Sequence, residues 1–170
     1  RLSALEAWLR EVLRGTPTKV VGTTSTLSGS VTADRNNLSA ASIGEVRVNA
    51  RTFVTDSEQR NNAIRRLILK TENDANEFIV FSTTELSGMP ANAEIGQSFP
   101  FEATGILFVS GVTKEVTFTG TAKFVSENEI SGSAETLLHY PDFGVTVPDL
   151  AFLADVEQDA TLTINFVAVR

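Results

Sequence analysis

The stretch Phe99–Phe124, FPFEATGILFVSGVTKEVTFTGTAKF, predicts two long β-strands joined by a tight turn. Apolar and polar residues alternate on both sides of Ser110-Gly111, and alternation at period two is typical of strands with one buried face. Gly111 tolerates the positive φ that a tight turn requires. The stretch therefore predicts an antiparallel hairpin.

Further strands are predicted on both sides of this hairpin. The alternation recurs through residues 45–53, 77–86, 128–138 and 161–169, and residues 20–33 are rich in Thr, Ser and Val. Residues 55–69 break the period, and Asp56 or Ser57 can cap a helix, so one short helix is expected at about residues 57–69. Short, closely spaced strands without βαβ alternation predict an all-β fold, an antiparallel barrel or a sandwich.

The composition is that of an acidic globular chain. Its 170 residues, 42% hydrophobic and 21% charged, suit one domain with a sizeable core. A net charge of -7 without a basic stripe argues against nucleic acid as a partner. The chain contains 0 Cys, which excludes thiolate chemistry and disulfides, and it has no apolar run long enough for a transmembrane segment.

The aromatic residues are mostly Phe. There are 11 Phe against 1 Tyr and 1 Trp, a set that suits a dry interior but equally suits ordinary sheet packing. Gly and Ala mix with Phe on one face of several strands, which can leave room for a ligand or can serve the taper of a barrel. A closed barrel of about eight strands can hold one small ligand, whereas a sandwich fills itself.

Three segments carry a resemblance to a known family. Gly105–Val116 is similar to the G-x-L-x-(hydrophobic)-x-G-V-T-K-x-V hairpin of the YceI-like proteins, Asp142–Val145 to their D-F-G-(hydrophobic) element, and Arg60–Asn62 to their R-R-D/N helix start. The resemblance covers about residues 20–170 and keeps the family's motif order. It implies a lipocalin-like antiparallel barrel that carries polyisoprenoid lipids in its apolar interior.

The resemblance leaves residues 1–19 open. Ser3 with Glu6 fits a capping box, the apolar residues from Leu5 to Leu13 recur at helical spacing, and Gly15 fits a helix stop. The corresponding segment of the YceI-like proteins is the first barrel strand, which favours a strand here. From Val20 onward seven strands are predicted, or eight with this segment.

Two segments outside the hairpin could carry chemistry. His139 is the only histidine, and no G-x-S-x-G elbow or metal-ligand spacing accompanies it, so a surface position is favoured over catalysis and no metal or cofactor is expected. Asp142-Phe143-Gly144 either forms a structural turn or lies beside a ligand. Tyr140 stands where the family commonly has Arg, which favours a neutral headgroup over a pyrophosphate.

The expected function is non-enzymatic binding or carriage of a long apolar isoprenoid-type lipid, polyprenyl or quinone-like, by one barrel domain spanning residues 1–170. The alternatives are a fully packed barrel that serves as a structural or protein-interaction module and, more remotely, a hydrolase or isomerase that uses His139. The candidate ligand-binding residues are Val46, Val48, Phe81, Phe99, Phe101, Leu107, Phe118, Tyr140, Phe143 and Phe166.

The sequence also leads to expectations about the cellular location and the oligomeric state of the protein. The acidic, cysteine-free chain and its resemblance favour an extracytoplasmic protein, periplasmic or secreted, although the given sequence contains no signal peptide. A homodimer is conceivable because the last predicted strand, Thr161–Val169, could lie at a sheet edge. The basic residues Arg60, Arg65 and Arg66 either form a solvated helix face or face a headgroup.

Overall fold

The computed structural model describes residues 2–13, 18–24, 26–145 and 156–170. The helix α1 (Glu58–Ala63) continues into a π-helical turn at Ile64–Ile68, so the predicted short helix is confirmed. The strands of the described residues are β1 (Leu2–Leu13), β2 (Thr18–Thr24), β3 (Leu27–Ser28), β4 (Val31–Thr32), β5 (Ser42–Ile43), β6 (Val46–Asn49), β7 (Phe78–Ser87), β8 (Ser98–Val109), β9 (Val112–Ser126), β10 (Glu129–His139) and β11 (Val156–Val169).

The sheet curls into a barrel, and the two strands at its outer edges are consecutive in the chain. Nine strands form one antiparallel sheet in the order β2-β1-β11-β10-β9-β8-β7-β6-β3. β2 pairs with β1 and β3 pairs with β6, yet only residues 25 and 26 separate β2 from β3 along the chain. Together β2 and β3 close the barrel. Counted as one strand, they give a barrel of about eight strands. The predicted all-β, lipocalin-like antiparallel barrel is confirmed.

The central hairpin forms as predicted. β8 and β9 pair in continuous register from Ser98 opposite Lys123 to Val109 opposite Val112. Ser110 and Gly111 both have positive φ, 50° and 85°, as a two-residue type I′ turn requires. The odd-numbered residues of β8 are buried, so this parity faces the barrel interior.

The N-terminal segment is a strand rather than a helix. β1 pairs antiparallel with both β11 and β2, so the backbone groups on each side of β1 have partners in the sheet. Such tertiary pairing overrides a local helical pattern, and the helix interpretation is wrong. Gly15, the predicted helix stop, lies outside the described residues.

Two other predictions need correction. The strand predicted through residues 45–53 ends at Asn49, where the Asn49 side chain accepts a hydrogen bond from the Arg51 N–H and begins a 3₁₀ turn, Ala50–Thr52. The last strand is not at an edge, because β11 lies between β1 and β10. The expectation of a homodimer rested on a free edge at this strand, and that edge is paired.

The connections gather at two ends of the barrel. The hairpin end contains Ser110-Gly111, the 3₁₀ turn Tyr140–Phe143 and the segment 50–77, here called the cap segment, which joins β6 to β7. The ribbon end contains the β9–β10 turn and the segment 29–45, here called the ribbon segment, in which β4 and β5 form a separate two-stranded ribbon. None of the described helices is long and apolar enough to cross a membrane.

Candidate functional site

The barrel interior contains a cavity of about 60 Å³, here called the central cavity. Every described side chain that lines it is apolar, so these walls offer no hydrogen bond to a polar ligand group. Among the described residues, six strands of the barrel, β6 to β11, and both strands of the ribbon contribute to its lining. These residues are Val31, Ile43, Val46, Phe81, Phe101, Ala103, Phe118, Ala134, Ile164 and Phe166.

A second cavity of about 40 Å³, the deep cavity, lies next to it toward the hairpin end. The two cavities share Val46, Phe81, Phe118 and Ile164. The rings of Phe81 and Phe118 meet edge to face with their centroids 4.9 Å apart, and they form the partition between the cavities. The remaining lining residues of the deep cavity are Thr24, Val48, Phe53, Ile79, Leu107 and Leu162.

A larger groove of about 560 Å³, the rim groove, opens at the ribbon end. It shares Val31 with the central cavity, so this half-buried side chain separates the outside from the interior. The rim groove, central cavity and deep cavity therefore follow one another along the barrel. The lining residues of the groove are Val31, Thr32, Ala33, Asp34, Arg35, Phe124, Glu127, Asn128, Glu129, Ile130, Ala168, Val169 and Arg170.

Strand β11 shows this order most directly. Ala168 lines the rim groove, Phe166 the central cavity, Ile164 both cavities and Leu162 the deep cavity. These residues lie at every second position, on the parity that faces inward. One face of one strand thus runs from the polar rim to the deepest apolar space.

The rim of the groove carries an ion pair between the ribbon and the β9–β10 turn. A guanidinium nitrogen of Arg35 lies 2.9 Å from Oε1 of Glu127. The hydrogen bond to Glu127, together with its charge, raises the pKa of Arg35 above its ordinary value. Both side chains remain partly exposed, and the pair spans the outer part of the groove rather than the apolar interior.

Most of the predicted ligand-binding residues lie around the two cavities. Phe101 and Phe166 line the central cavity, with ring centroids 6.1 Å apart. Val48 and Leu107 line the deep cavity, while Val46, Phe81 and Phe118 line both.

The other three predicted residues lie elsewhere. Phe99 and Phe143 are buried in the core cluster but line neither cavity. Phe99 instead stacks on Phe124, with ring centroids 6.0 Å apart, below the rim groove. The side chain of Tyr140 lies outside the described part of the structure.

The sequence interpretation missed the cavity walls that lie outside the regular strands. Val31 and Ile43 come from the ribbon segment, where Ser and Thr obscure the alternation, and Phe53 comes from the cap segment. Ile164 and Leu162 were recognised as strand residues, and their shared parity with Phe166 was the signal that could have placed them at the cavities.

The interior glycines do not provide the empty space. A Cβ atom at Gly105 or Gly120 would meet the backbone of the neighbouring strand, and one at Gly132 would meet the ring of Phe166. These glycines allow neighbouring strands to pack closely, which agrees with the alternative that the small residues serve the taper of the barrel. The small residues that do border a cavity are Ala103 and Ala134.

The Asp142-Phe143-Gly144 segment has the geometry of a structural turn. Phe143 is buried, and Gly144 has a φ of 64° while its N–H donates to the carbonyl of Pro141 at 3.0 Å. Asp142 is exposed. The side chains of this turn lie at the hairpin end and border neither interior cavity.

The basic residues of the helix form hydrogen bonds and ion pairs within the cap segment. Nε of Arg65 donates to the carbonyl of Phe53 at 2.8 Å, Arg66 pairs with Glu72 at 2.8 Å, and Arg60 pairs with Asp56. The buried Asn61 accepts from the N–H and the hydroxyl of Thr55 at 2.6 and 2.7 Å. These bonds fasten the cap segment, which favours a structural role over a headgroup-facing one.

His139 lies on the surface, where the enzymatic alternative has no support. Its side chain is 44% exposed, and Nδ1 lies 2.7 Å from Oδ1 of Asp159 on the neighbouring strand. It borders neither interior cavity nor the rim groove. Within the described residues no group of three or more His, Asp or Glu side chains could hold a metal ion.

Comparisons with known proteins agree with this architecture. A family model described as a YceI-like domain matches residues 5–168. No relative was found among curated proteins. The solved structures that the chain resembles include BcnA of Burkholderia cenocepacia, with a TM-score of 0.78 and 14% identity, covering 97% of this chain and 96% of that chain.

Two further structures have the same fold. One is a polyisoprenoid binding domain from Saccharophagus degradans implicated in plant cell wall breakdown, with a TM-score of 0.76, 13% identity and coverage of 99% of this chain and 97% of that chain. The other is a YceI protein of Campylobacter jejuni, with a TM-score of 0.69, 18% identity and coverage of 88% and 84%. At these identities the likeness shows a shared fold.

Proposed function

Because the chain belongs to the YceI-like family, we propose that it binds a long apolar isoprenoid-type lipid, polyprenyl or quinone-like, inside its barrel and acts as a carrier rather than an enzyme. One observation supports this proposal above the others. Two apolar cavities lie in line with an open groove along the barrel, with Val31 between the groove and the central cavity and the Phe81–Phe118 pair between the two cavities. The polyisoprenoid binding domain of Saccharophagus degradans has the same fold.

The cavities must enlarge to accept such a lipid. At about 60 and 40 Å³ they are smaller than typical ligand pockets, which have volumes of about 300–1,000 Å³. Rotation of Phe81 and Phe118 would join them at the cost of one edge-to-face contact, about 0.5–1.5 kcal/mol. Burial of about 300 Å² of tail surface would contribute about 7 kcal/mol before ordering costs, which is several times the loss of that aromatic contact.

The proposed binding residues are the predicted ones that border these spaces, together with those found from the structure. The tail would contact Val46, Val48, Phe81, Phe101, Leu107, Phe118 and Phe166, with Val31, Ile43, Leu162 and Ile164 completing the walls. We leave Phe99 and Phe143 as core residues because they border neither cavity.

A second candidate function follows from the small size of the cavities. A barrel that keeps Phe81 and Phe118 in their present positions has no room for a lipid tail and would serve as a structural or protein-interaction module. The two functions differ in whether the interior can be filled from outside.

Native mass spectrometry tests the proposal. We expect the purified protein, alone or after incubation with polyprenyl lipids or isoprenoid quinones, to gain the mass of one lipid that organic extraction then identifies. Ala103→Leu places a larger side chain in the central cavity and should abolish this gain. Thr104→Leu, the adjacent and outward-facing position of β8, is the matched control and should retain it.

Two outcomes would contradict lipid carriage. A bare polypeptide mass under all conditions would favour the packed module. Equal loading of the two variants, with both shown to be folded by circular dichroism, would mean that any bound lipid lies outside the barrel interior.

We also propose an extracytoplasmic location. The support is the acidic, cysteine-free composition, which suits a carrier exchanging lipid outside the cytoplasm. Fractionation of the source cells, with immunodetection of the protein, tests it. Recovery of the protein from the cytoplasmic fraction would contradict this location.

A further inference from the structure

The rim groove differs from the two interior cavities in its charges. Its walls contribute three carboxylates, Asp34, Glu127 and Glu129, against two guanidinium groups, Arg35 and Arg170. The described side chains that line the interior cavities include none with a charge. A lipid that lies along the barrel with its tail inside would therefore place its polar end in the groove.

The Arg35 guanidinium already has an ion-pair partner within the protein. Its guanidinium is held by Glu127 at 2.9 Å, and the further carboxylates of Glu94 and Asp34 add to the rise in its pKa. An anionic headgroup would have to compete with Glu127 for this cation. It would also have to approach Asp34 and Glu129, which repel it and outnumber the other cation of the groove, Arg170.

Neutral hydrogen-bonding groups complete the groove. Thr32 and Asn128 are exposed there, and they can donate to and accept from an alcohol or a carbonyl. Val31, adjacent to Thr32 in β4, leads directly into the central cavity. Polar contacts and an apolar passage thus lie side by side, as the two ends of an amphipathic lipid require.

We propose that the rim groove holds the headgroup of the bound lipid and selects an uncharged, hydrogen-bonding headgroup, such as an alcohol or a quinone, over a pyrophosphate. This inference rests on the proposed lipid-binding function. It places the headgroup at the ribbon end, whereas the sequence suggested the surroundings of Asp142, which lie at the hairpin end. The lipid mouth is then formed by the ribbon segment and the β9–β10 turn.

Binding of paired probes tests this assignment. Geranylgeraniol and geranylgeranyl pyrophosphate have the same tail, and their dissociation constants can be measured by equilibrium dialysis at low and physiological salt. Glu129→Lys reverses one charge of the groove and should tighten pyrophosphate binding about tenfold at low salt, with a smaller gain at physiological salt. Any change in the affinity for geranylgeraniol should be smaller and should not depend on salt, because its hydroxyl carries no charge.

Glu115→Lys is the matched control, because Glu115 is exposed on the outer face of β9. It should leave the affinities for both probes unchanged. Equal tightening of pyrophosphate binding by Glu115→Lys and Glu129→Lys would overturn the groove as the headgroup site. Tighter binding of pyrophosphate than of geranylgeraniol by the unaltered protein would overturn the preference for a neutral headgroup.

These outcomes are separate from a failure of the proposed function. If neither probe binds the protein or either variant, lipid binding itself is wrong, and the headgroup assignment is overturned with it. If both probes bind and Glu129→Lys changes nothing, lipid binding stands and only the groove assignment is overturned.

Discussion

The two ends of the barrel are covered in different ways. At the hairpin end, side chains of the cap segment bind backbone carbonyls: Arg65 binds that of Phe53, and Arg51 binds that of Thr71, each at 2.8 Å. At the ribbon end, backbone bonds join the ribbon segment to the β7–β8 connection, such as Leu38 N–H to the Ala91 carbonyl at 2.9 Å, and the partly exposed Arg35–Glu127 pair adds to them.

This difference indicates which end can open. Local opening costs least where few buried contacts must break. The cap segment buries Phe53 and Asn61, and the Phe53 ring packs against Gly22 so closely that a Cβ there would overlap it. In the ribbon segment Leu38 is buried, but Val31, which faces the interior, is only half-buried. We therefore expect the hairpin end to act as the anchor and the ribbon end as the mouth.

Truncation of one apolar side chain at each end gives the largest expected difference. Phe53→Ala removes a buried ring at the hairpin end and should lower the free energy of unfolding by about 3–5 kcal/mol. Val31→Ala at the ribbon end should lower it by only about 1 kcal/mol. Urea unfolding followed by circular dichroism measures both. Similar losses would remove the distinction between anchor and mouth.

Loss of one polar contact at each end should give a smaller difference. Asn61→Ala leaves the Thr55 donors without their acceptor and should cost about 1–3 kcal/mol. Arg35→Gln removes an ion pair that solvent screens, and the urea midpoint should not change. A larger shift for Arg35→Gln than for Asn61→Ala would mean that the ribbon end is the better fastened one.

Hydrogen exchange of backbone amides compares the two covers without any substitution. The Gly44 amide, bonded to the Ser30 carbonyl, should exchange at least about tenfold faster than the Thr71 amide, bonded to the Arg65 carbonyl. A bound lipid should slow Gly44 and leave Thr71 unchanged. Faster exchange at Thr71 would place the opening at the hairpin end.

The partition between the cavities allows a finer test. Phe118→Leu should join the central and deep cavities and strengthen binding of geranylgeraniol about threefold, because no ring has to move aside. Phe124→Leu is the control at the rim groove, outside the partition, and should have less effect. Equal or weaker binding by Phe118→Leu would show that the contact between the ring and the tail contributes at least as much as moving the ring costs.

Local sequence patterns predicted the fold well where they were regular. β8 and β9 were placed because their alternation runs unbroken on both sides of Ser110-Gly111. The sequence left open which face of each strand points inward, and the burial of Phe101 and Phe118 decides it. β1 could not be decided from its residues alone. Its helical spacing is real, and only pairing with β11, a partner far away in the chain, settles it as a strand.

The candidate site was only partly predictable for a related reason. Phe side chains of regular strands could be named as candidates, but which of them face the interior and border empty space depends on contacts between strands. Phe99 has a stacking partner in Phe124, whereas Phe81 and Phe118 lie between two cavities. Val31 was unrecognised as a wall residue because the ribbon that positions it has only two residues in each strand.

Photo-crosslinking of a tail-labelled lipid tests the central claim most directly. The probe is geranylgeraniol with a diazirine at the end of the tail opposite the hydroxyl, and the labelled peptides are identified by mass spectrometry. The expected labels fall on residues around the deep cavity, above all Phe118, Leu107 and Leu162. Labels confined to outward-facing residues, such as Val125 or Leu137, would contradict lipid binding inside the barrel.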